Sequence, residues 1–415
     1  MSTSRLTCRS CSSNRIESVL DFGEIPLANA LLSVEQLRKP EVTYPLEFVF
    51  CRDCTLAQIT ETVPPECLFR EYLYFSAISE TVVQNARDIT HRMRERLNLG
   101  ERSQVVEIAS NDGYLLQHYV EKGIPVLGIE PAQNVVSVAM QRGIRTLPEF
   151  FDEPLAKRLS AEGLLADVIH ANNVVAHVAN LHGVVEGIGR LLKPDGVAVV
   201  ENHYVRDLIE HVEFDSIYHE HLCYFSATSF QHLFLAHGLL LVDVERIPIH
   251  GGSLRAFFQR SDGPCSLAAG GQPRVRRLLE EESEARVDRI EFFQGFGQQV
   301  AELREQLLRL LRGLKQEGKH IAIYGASAKS TTLLNYFGIG RETVDYVVDR
   351  NPTKQKKFTP GTHLPIYSPE RLLETRPDYV LLLSWNLESE VLGQQSLYRQ
   401  QGGRFIVPIP TLRIM

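Results

Sequence analysis

Four of the seven cysteines form two CxxC pairs, Cys8 with Cys11 and Cys51 with Cys54. A CxxC knuckle bends so that both sulfurs can reach one ion, and two knuckles supply a tetrahedron of thiolates for Zn²⁺. Four thiolates leave no open position for a substrate, so the spacing predicts structural zinc. A module of this size has a small core and would gain much of its folding energy from the metal.

The segment VVEIASNDGYLL, residues 105–116, predicts a strand, a tight turn of small residues and a helix. Such a turn brings the backbone and the helix N-terminus close to a ligand. The next apolar run ends in Glu130, 23 residues after Glu107, where an acid can bind ribose hydroxyls. The pattern fits a dinucleotide or S-adenosylmethionine, and the absence of GxGxxG favours the latter. The predicted cofactor-binding residues are Glu107, Ala109, Asn111, Gly113, Glu130, Asn172 and Asn173.

Tyr218, His219, Glu220 and His221 are consecutive in IYHEHLCYFS. If this stretch is extended, Tyr218 and Glu220 share one face, and the two histidines share the other. A histidine has a pKa near working pH, so it can remove a proton next to a carbonyl group and give an enolate. A tyrosine hydroxyl can then donate to the enolate oxygen. Forming a carbon–carbon bond with a sulfonium methyl requires a carbon nucleophile, and an enolate is one.

A second glycine turn lies in YGASAKSTTLLNY, residues 324–336, and Asp349 ends the next strand, 24 residues after Gly325. With one glycine the dinucleotide fingerprint is incomplete. The helix N-terminus, with Ser327, Lys329 and Ser330, can accommodate a diphosphate. A purely structural lobe and an NAD site are the alternatives. We expect the lysines that follow to lie in a solvated loop: Lys354, Lys356 and Lys357.

Three regions of the chain would position these residues. Residues 1–68 carry the cysteine pairs and predict a zinc module of short strands and loops. Residues 69–262 alternate apolar runs with amphipathic stretches, which predicts a Rossmann-like domain with a mainly parallel sheet. Residues 263–415 predict a linker, a long helix and a second Rossmann-like unit, so the fold class is α/β. The helix has leucines at helical spacing: Leu303, Leu307, Leu310 and Leu314.

The composition is that of a globular protein, with 44% hydrophobic and 23% charged residues. A net charge of −7 argues against a nucleic-acid partner. The longest apolar runs, such as residues 379–383, are too short to span a bilayer, and the first ten residues lack the apolar core of a signal peptide. We therefore expect a cytoplasmic monomer or homodimer with neither a membrane nor a nucleic-acid partner.

Further motifs extend over nearly the whole chain. They are YLYFSAISE (72–80), EIASNDG (107–113), FDSIYHEHLCYFS (214–226), HGGSLR (250–255), YGASAKSTTLLNY (324–336) and VDRNPTKQ (348–355). With the cysteine pairs, this combination resembles the sugar C-methyltransferases that act on nucleotide-linked 4-keto-deoxy sugars, the group that includes the tetronitrose, mycarose and novobiose enzymes. One departure is Ser330, because the family pattern has a glycine after the lysine.

The resemblance implies a zinc module, a central class I methyltransferase domain that binds S-adenosylmethionine, and a last domain that contacts the nucleotide-sugar. It implies methylation of a carbon next to the keto group of an NDP-4-keto-deoxyhexose, expected to be dTDP-linked. That carbon is C3 or, as the alternative, C5. The implied catalytic residues are His221 as the base, assisted by Tyr218, Glu220, His177 and Tyr72. The implied substrate-binding residues are Tyr74, Ser327, Lys329, Ser330, Asp349 and Arg350.

Two other functions fit parts of the pattern. An O- or N-methyltransferase acting on another small molecule, or on RNA bound by the zinc module, would have a basic face and no need of the Tyr-His-Glu cluster. A non-catalytic zinc-bearing scaffold that binds a nucleotide would tolerate an eroded cofactor turn, whereas EIASNDG is intact.

Overall fold

The computed structural model describes residues 6–69, 75–265 and 267–415. The strands are β1 Ile16–Pro26, β2 Thr43–Cys51, β3 Ala57–Ile59, β4 Val105–Ile108, β5 Val126–Ile129, β6 Thr146–Leu147, β7 Ala166–Asn172, β8 Leu192–His203, β9 Cys223–Tyr224, β10 Leu239–Ile247, β11 Ser253–Arg260, β12 Ile321–Tyr324, β13 Val347–Val348, β14 Ile366–Tyr367, β15 Tyr379–Leu382, β16 Arg404–Val407 and β17 Arg413–Ile414.

The helices are α1 Pro65–Phe69, α2 Glu80–Leu97, α3 Gln117–Val120, α4 Gln133–Gln141, α5 Glu153–Ala161, α6 Leu181–Leu191, α7 Val205–Glu210, α8 Ala227–Leu235, α9 Ala268–Glu284, α10 Ile290–Phe293, α11 Phe296–Gln316, α12 Ala328–Phe337, α13 Arg371–Thr375, α14 Glu388–Gln394 and α15 Ser396–Gln400. Short 3-10 turns lie at Gln36–Arg38, Ser76–Ile78, Val175–His177, Phe214–Ser216 and Trp385–Leu387. None of the helices in the described ranges has the length and apolar character to cross a membrane.

The N-terminal sheet is antiparallel, with the strand order β1-β2-β3-β9. Strand β1 pairs with β2 along most of its length, so the chain returns between the two cysteine pairs. The fourth strand, β9, comes from residues 223–224 of the central region and pairs with β3. The segment before β9 is IYHEHL, and this pairing therefore places it next to the zinc module.

The central sheet has seven strands in the order β10-β11-β8-β7-β4-β5-β6. Strands β4 to β8 pair in parallel, and β11 runs antiparallel to its two neighbours, β10 and β8. All four residues of β4 are buried, as expected for a parallel strand that is covered on both faces. The α/β fold class with a Rossmann-like central domain is confirmed.

The C-terminal sheet has the order β14-β13-β12-β15-β16-β17, and it is parallel except for β17. Helix α11 covers the predicted leucine spacing and buries Leu303, Leu307 and Leu314. Aromatic rings connect the helices before this sheet to the N-terminal sheet, since the ring centroids of Phe50 and Phe293 are 4.6 Å apart. The helical segment therefore packs on the zinc module as well as on its own sheet.

Candidate active site and zinc centre

The four predicted zinc ligands lie together: Cys8, Cys11, Cys51 and Cys54. All four sulfurs are within 4.8 Å of one another, with Cys8 Sγ 3.4 Å from Cys54 Sγ and Cys11 Sγ 3.6 Å from Cys51 Sγ. In each knuckle the amide that follows the pair, at Ser12 or Thr55, donates to the carbonyl of its first cysteine. Thiolates 2.3 Å from a tetrahedral zinc would be about 3.8 Å apart, so the donor set fits zinc.

The cofactor turn, residues 109–113, follows β4 with the left-handed φ values that its small residues allow. These are 51° at Ala109, 49° at Asn111 and 78° at Gly113. A Cβ at Gly113 would overlap the side chain of Ile144. Only glycine therefore fits at this point, where the chain turns into the segment that leads to α3.

Glu130 ends β5 and closes the cofactor turn. Its carboxylate accepts hydrogen bonds from the backbone amides of Asn111, at 3.0 Å, and Ala132, at 2.9 Å. A carboxylate has about four lone-pair sites, so positions are left for ribose hydroxyls. The Asn111 side chain accepts from the backbone amide of Ser76 at 3.0 Å, which connects the turn to the segment before α2.

Among the described residues, four buried side-chain oxygens in and beside the cofactor turn have no hydrogen-bond partner: Glu107 Oε2, Ser110 Oγ, Asp112 Oδ1 and Asn172 Oδ1. Buried polar atoms in native proteins are nearly always partnered, so these are groups that a polar ligand can satisfy. Burial raises the pKa of Glu107 well above its ordinary value, and the charges of Asp112 and Glu130 raise it further. A bound cation would favour the ionised carboxylate. This donor set fits the ammonium and sulfonium of S-adenosylmethionine.

The YHEH turn, residues 218–221, is not extended, so the two-residue alternation considered for an extended stretch does not apply here. The amide of His221 donates to the carbonyl of Tyr218 at 2.9 Å, so the chain reverses here. The reversal brings together the rings of Tyr218 and His221, whose centroids are 4.1 Å apart. His219 contacts the carbonyl of Pro45 instead, with its Nε2 at 3.1 Å.

The contacts of His221 fix its tautomer. Nδ1 lies 2.9 Å from the carbonyl oxygen of Ser216, which can only accept, so Nδ1 carries a proton. Burial lowers the pKa of His221 well below its ordinary value, and His177 lowers it further. The ring is therefore neutral at pH 7, and Nε2 accepts from the Tyr218 hydroxyl at 2.8 Å. The arrangement presents a neutral imidazole whose basic nitrogen is paired with a phenol.

His177 lies against this pair, with its ring edge-on to His221 at a centroid distance of 4.7 Å. Burial lowers the pKa of His177 to about 4. His177 follows β7, and the amide of Leu222 donates to the carbonyl of Ala176 at 2.7 Å. The imidazoles therefore lie at the carboxyl end of the same parallel sheet that forms the cofactor turn, where open α/β sheets bind ligands.

Glu220 is 3% exposed, and its Oε1 accepts from Nδ2 of Asn29 at 2.6 Å. Burial raises the pKa of Glu220 to about 7. Asn29 belongs to the zinc module, and no sequence pattern indicated it, because it lies 191 positions before Glu220.

The C-terminal turn, residues 325–330, is held by hydrogen bonds within itself and to the next strand. Ser327 and Ser330 form a capping box, and the Ser330 hydroxyl also donates to the carbonyl of Gly325 at 2.7 Å. The Asp349 carboxylate accepts from the amide of Ala326 at 2.8 Å. Capping by Ser330 explains why this chain carries serine where the family pattern has glycine.

Lys354 is 7% exposed, so the expectation of a solvated loop is wrong at this position. Its Nζ donates to the carbonyl of Ala326 at 2.8 Å and lies 4.0 Å from the Asp349 carboxylate. Arg350 forms an ion pair with Glu390 at 3.1 Å, and Glu390 also accepts from the hydroxyl of Thr81 at 3.0 Å.

Helix α12 contacts the segment before the YHEH turn. Lys329 Nζ binds the Ser216 hydroxyl and lies 4.9 Å from the centre of the Trp385 ring. Thr332 donates to the carbonyl of Ile217 at 3.1 Å. Since the Ser216 carbonyl contacts Nδ1 of His221, a helix of the C-terminal unit supports the position of this imidazole.

Three family descriptions match consecutive parts of the chain. They are a zinc binding domain over residues 8–69, a methyltransferase domain over 79–244 and a C-methyltransferase C-terminal domain over 248–410. C-methyltransferase NovU of Streptomyces niveus is 35% identical over 408 residues, which are 98% of this chain and 96% of that protein. The chain belongs to this C-methyltransferase family.

Membership and the geometry together establish a methyltransferase that uses S-adenosylmethionine and carries a structural zinc. Solved structures resemble it only distantly. Synechocystis magnesium protoporphyrin IX methyltransferase with bound cofactor has a TM-score of 0.34 at 13% identity, covering 43% of this chain and 79% of that one. Burkholderia thailandensis 1,6-didemethyltoxoflavin-N1-methyltransferase has a TM-score of 0.33 at 15% identity, covering 43% and 78%.

The structure brings His221, Tyr218 and His177 of this C-methyltransferase together, whereas Glu220 faces Asn29. Tyr72 and Tyr74 lie outside the described residues. Sequence reasoning assigned no role to three further groups at the site: Asp215, Ser216 and Trp385. The Asp215 carboxylate accepts from the Trp385 indole at 2.8 Å, and burial raises the pKa of Asp215 to about 7. Position inside FDSIYHEHLCYFS was the available signal for Asp215 and Ser216; Trp385 had none.

Proposed function

We propose that this C-methyltransferase methylates a carbon next to the keto group of an NDP-4-keto-deoxyhexose, with a dTDP-linked sugar as the first candidate. C3 is the first candidate for the methylated carbon and C5 the second. The observation that carries the proposal is the neutral His221, oriented by the Ser216 carbonyl and paired with the Tyr218 hydroxyl. Such a pair suits proton removal next to a carbonyl group, which C-methylation of a keto sugar needs and transfer to a hydroxyl does not.

His221 Nε2 accepts the proton from the carbon next to the keto group, and the electron pair of that C–H bond forms the enolate. The imidazole Nε2 has a single lone pair, so the Tyr218 hydroxyl must turn from it to the keto oxygen before the proton is taken, and there it donates to the enolate oxygen that forms. S-adenosylmethionine, when bound, supplies an electrophilic methyl group on a sulfonium. Held by the cofactor turn with Glu107 and Glu130, it would give its methyl group to the enolate carbon, and the electron pair of the broken methyl–sulfur bond would stay on sulfur. His221 then loses its proton to solvent.

The remaining assignments are part of the proposal. Glu220, His177 and Tyr72 assist at the sugar. The cofactor contacts are Glu107, Ala109, Asn111, Gly113, Glu130, Asn172 and Asn173. The nucleotide-sugar contacts are Tyr74, Lys329 and Arg350, while Ser327, Ser330 and Asp349 shape the turn from which Lys329 extends. The functional units are residues 1–68, 69–262 and 263–415.

The test uses the zinc-loaded full chain with S-adenosylmethionine and a panel of NDP-4-keto-deoxyhexoses. We expect a product one methylene heavier, with the new methyl on carbon by NMR. In D₂O without the methyl donor, deuterium should enter at the carbon that is later methylated, and His221→Asn should abolish this exchange. A methyl on oxygen or nitrogen would overturn the proposal, and exchange at C5 alone would assign C5.

A further inference from the structure

Residues 27–32 of the zinc module form a segment that is fixed on both sides of Asn29. The carbonyl of Ala28 accepts from the Thr331 hydroxyl of α12 at 2.8 Å. Leu32 and Phe358 exchange two backbone hydrogen bonds, of 3.0 and 2.9 Å. Both anchors lie in the C-terminal unit. The backbone at Asn29 is therefore held in place independently of the YHEH turn.

From this segment the Asn29 side chain reaches the YHEH turn. Its Nδ2 lies 2.6 Å from Glu220 Oε1, so the amide donates directly to one carboxyl oxygen. Among the described residues, the buried cation Lys354, from the loop after β13, also acts on the Glu220 carboxyl. Asn29 is the direct hydrogen-bond donor, whereas Lys354 donates to the carbonyl of Ala326.

We propose that Asn29 is a positioning residue, by which the zinc module holds the Glu220 carboxyl in its working orientation in the YHEH turn. The zinc module thus has a part in catalysis besides its own folding. The assignment of Glu220 to the sugar rests on the proposed function, but the contact between the two side chains does not.

The chemical type of the hydrogen-bond donor at position 29 affects the ionisation of Glu220. An amide N–H cannot exchange its proton with the carboxyl, so it fixes one oxygen of Glu220 and leaves the group free to titrate. A lysine at position 29 would hold Glu220 ionised, and an aspartate would repel it. Removing the amide leaves a buried carboxyl oxygen unpaired, which favours the protonated form and lets the side chain turn.

The first test measures the pKa of Glu220 and needs no sugar. In full-length, zinc-loaded protein labelled with ¹³C at the glutamate carboxyls, the Glu220 resonance is the one missing in Glu220→Gln. Its pKa should rise by about one unit in Asn29→Ala and further in Asn29→Asp, which adds a like charge. Thr331→Val is the matched control, since it removes an anchor of the same segment without touching Glu220. An unchanged pKa in both Asn29 variants, or an equal shift in the control, overturns the proposal.

The second test is a double-mutant cycle on turnover. Asn29→Ala should lower kcat about tenfold and leave cofactor binding and zinc content unchanged. In the Glu220→Ala background the same substitution should have no further effect, because the acceptor that Asn29 positions is gone. Multiplicative losses would show that Asn29 acts by another route. If no panel sugar is methylated, the proposed substrate fails and the pKa test still decides the role of Asn29.

Discussion

The cofactor turn and the C-terminal turn have similar architectures but different roles. Each follows the parallel strand β4 or β12, and each is closed by an acid at the end of the next strand. Glu130 accepts from one amide of its turn and from the amide two residues after itself, and Asp349 does the same. The acid at this position therefore does not by itself distinguish a ligand site from a structural turn.

The difference lies in what surrounds each acid. Among the described residues, helix α3 begins without a side-chain cap, and Glu107 and Asn172 leave buried oxygens unpartnered beside the cofactor turn. The C-terminal turn has a capping box, Lys354 supplies a cation beside Asp349, and the unpartnered atom next to Gly325 is the Ser384 hydroxyl. The cofactor turn thus leaves carboxyl and amide oxygens for a ligand, whereas the C-terminal turn is closed by its cap and its acid, and the helix it begins supports the YHEH turn.

The largest loss of activity should follow a substitution in the YHEH turn, which α12 supports. His221→Asn should lower single-turnover methyl transfer roughly 10³-fold, as for loss of a general base, and leave the Kd for S-adenosylmethionine unchanged. The control is His219→Asn, which loses a contact to the Pro45 carbonyl and should retain activity within a few-fold. Full activity of the His221 variant would remove its role as the base.

Substitution of the two closing acids, Glu130 and Asp349, compares the two turns directly. Glu130→Ala should raise the Kd for S-adenosylmethionine about 30-fold, equivalent to roughly 2 kcal/mol, because it removes both the turn closure and the proposed ribose acceptor. Asp349→Ala should leave that Kd unchanged while it lowers stability. Titration calorimetry measures the Kd for S-adenosylmethionine in both variants. A loss of cofactor affinity in the Asp349 variant would show that the C-terminal turn also acts on the cofactor site.

The zinc ligands and the sheet with its cofactor turn could be predicted because their signals are local: cysteine spacing, and an apolar strand followed by small residues. The YHEH geometry could not, since an i,i+3 reversal replaced the two-residue alternation of a strand. The polar sequence around Lys354 predicts a solvated side chain. Its burial accompanies the hydrogen bond to the carbonyl of Ala326, which is distant in the sequence. Asn29 and Glu220 meet because β9 joins the N-terminal sheet and because the C-terminal unit holds the segment around Asn29, two long-range contacts that no short motif encodes.

Cofactor affinity should depend on pH through Glu107. Its pKa is raised by burial, so below that pKa the carboxyl must lose a proton before it favours a cation. Affinity should therefore fall as pH falls from 7 to 5, by at most about tenfold per unit for one proton. Glu107→Gln should remove this part of the slope. Calorimetry in two buffers of different ionisation enthalpy counts the protons released, and a pH-independent wild-type Kd would contradict the prediction.

The smallest effect belongs to the cap of α12. Ser327→Ala removes the side chain that accepts from the Ser330 amide and should lower the free energy of unfolding by about 1 kcal/mol in urea denaturation. Because this hydroxyl is engaged in the turn, the KM for the nucleotide-sugar should stay within about twofold, and the cofactor Kd should not change. A large rise in KM without a loss of stability would mean that the hydroxyl binds the substrate, and the two turns would then both be ligand sites. Lys329→Met is the complementary variant. It removes the contact of Lys329 Nζ to the Ser216 hydroxyl and leaves the capping box intact.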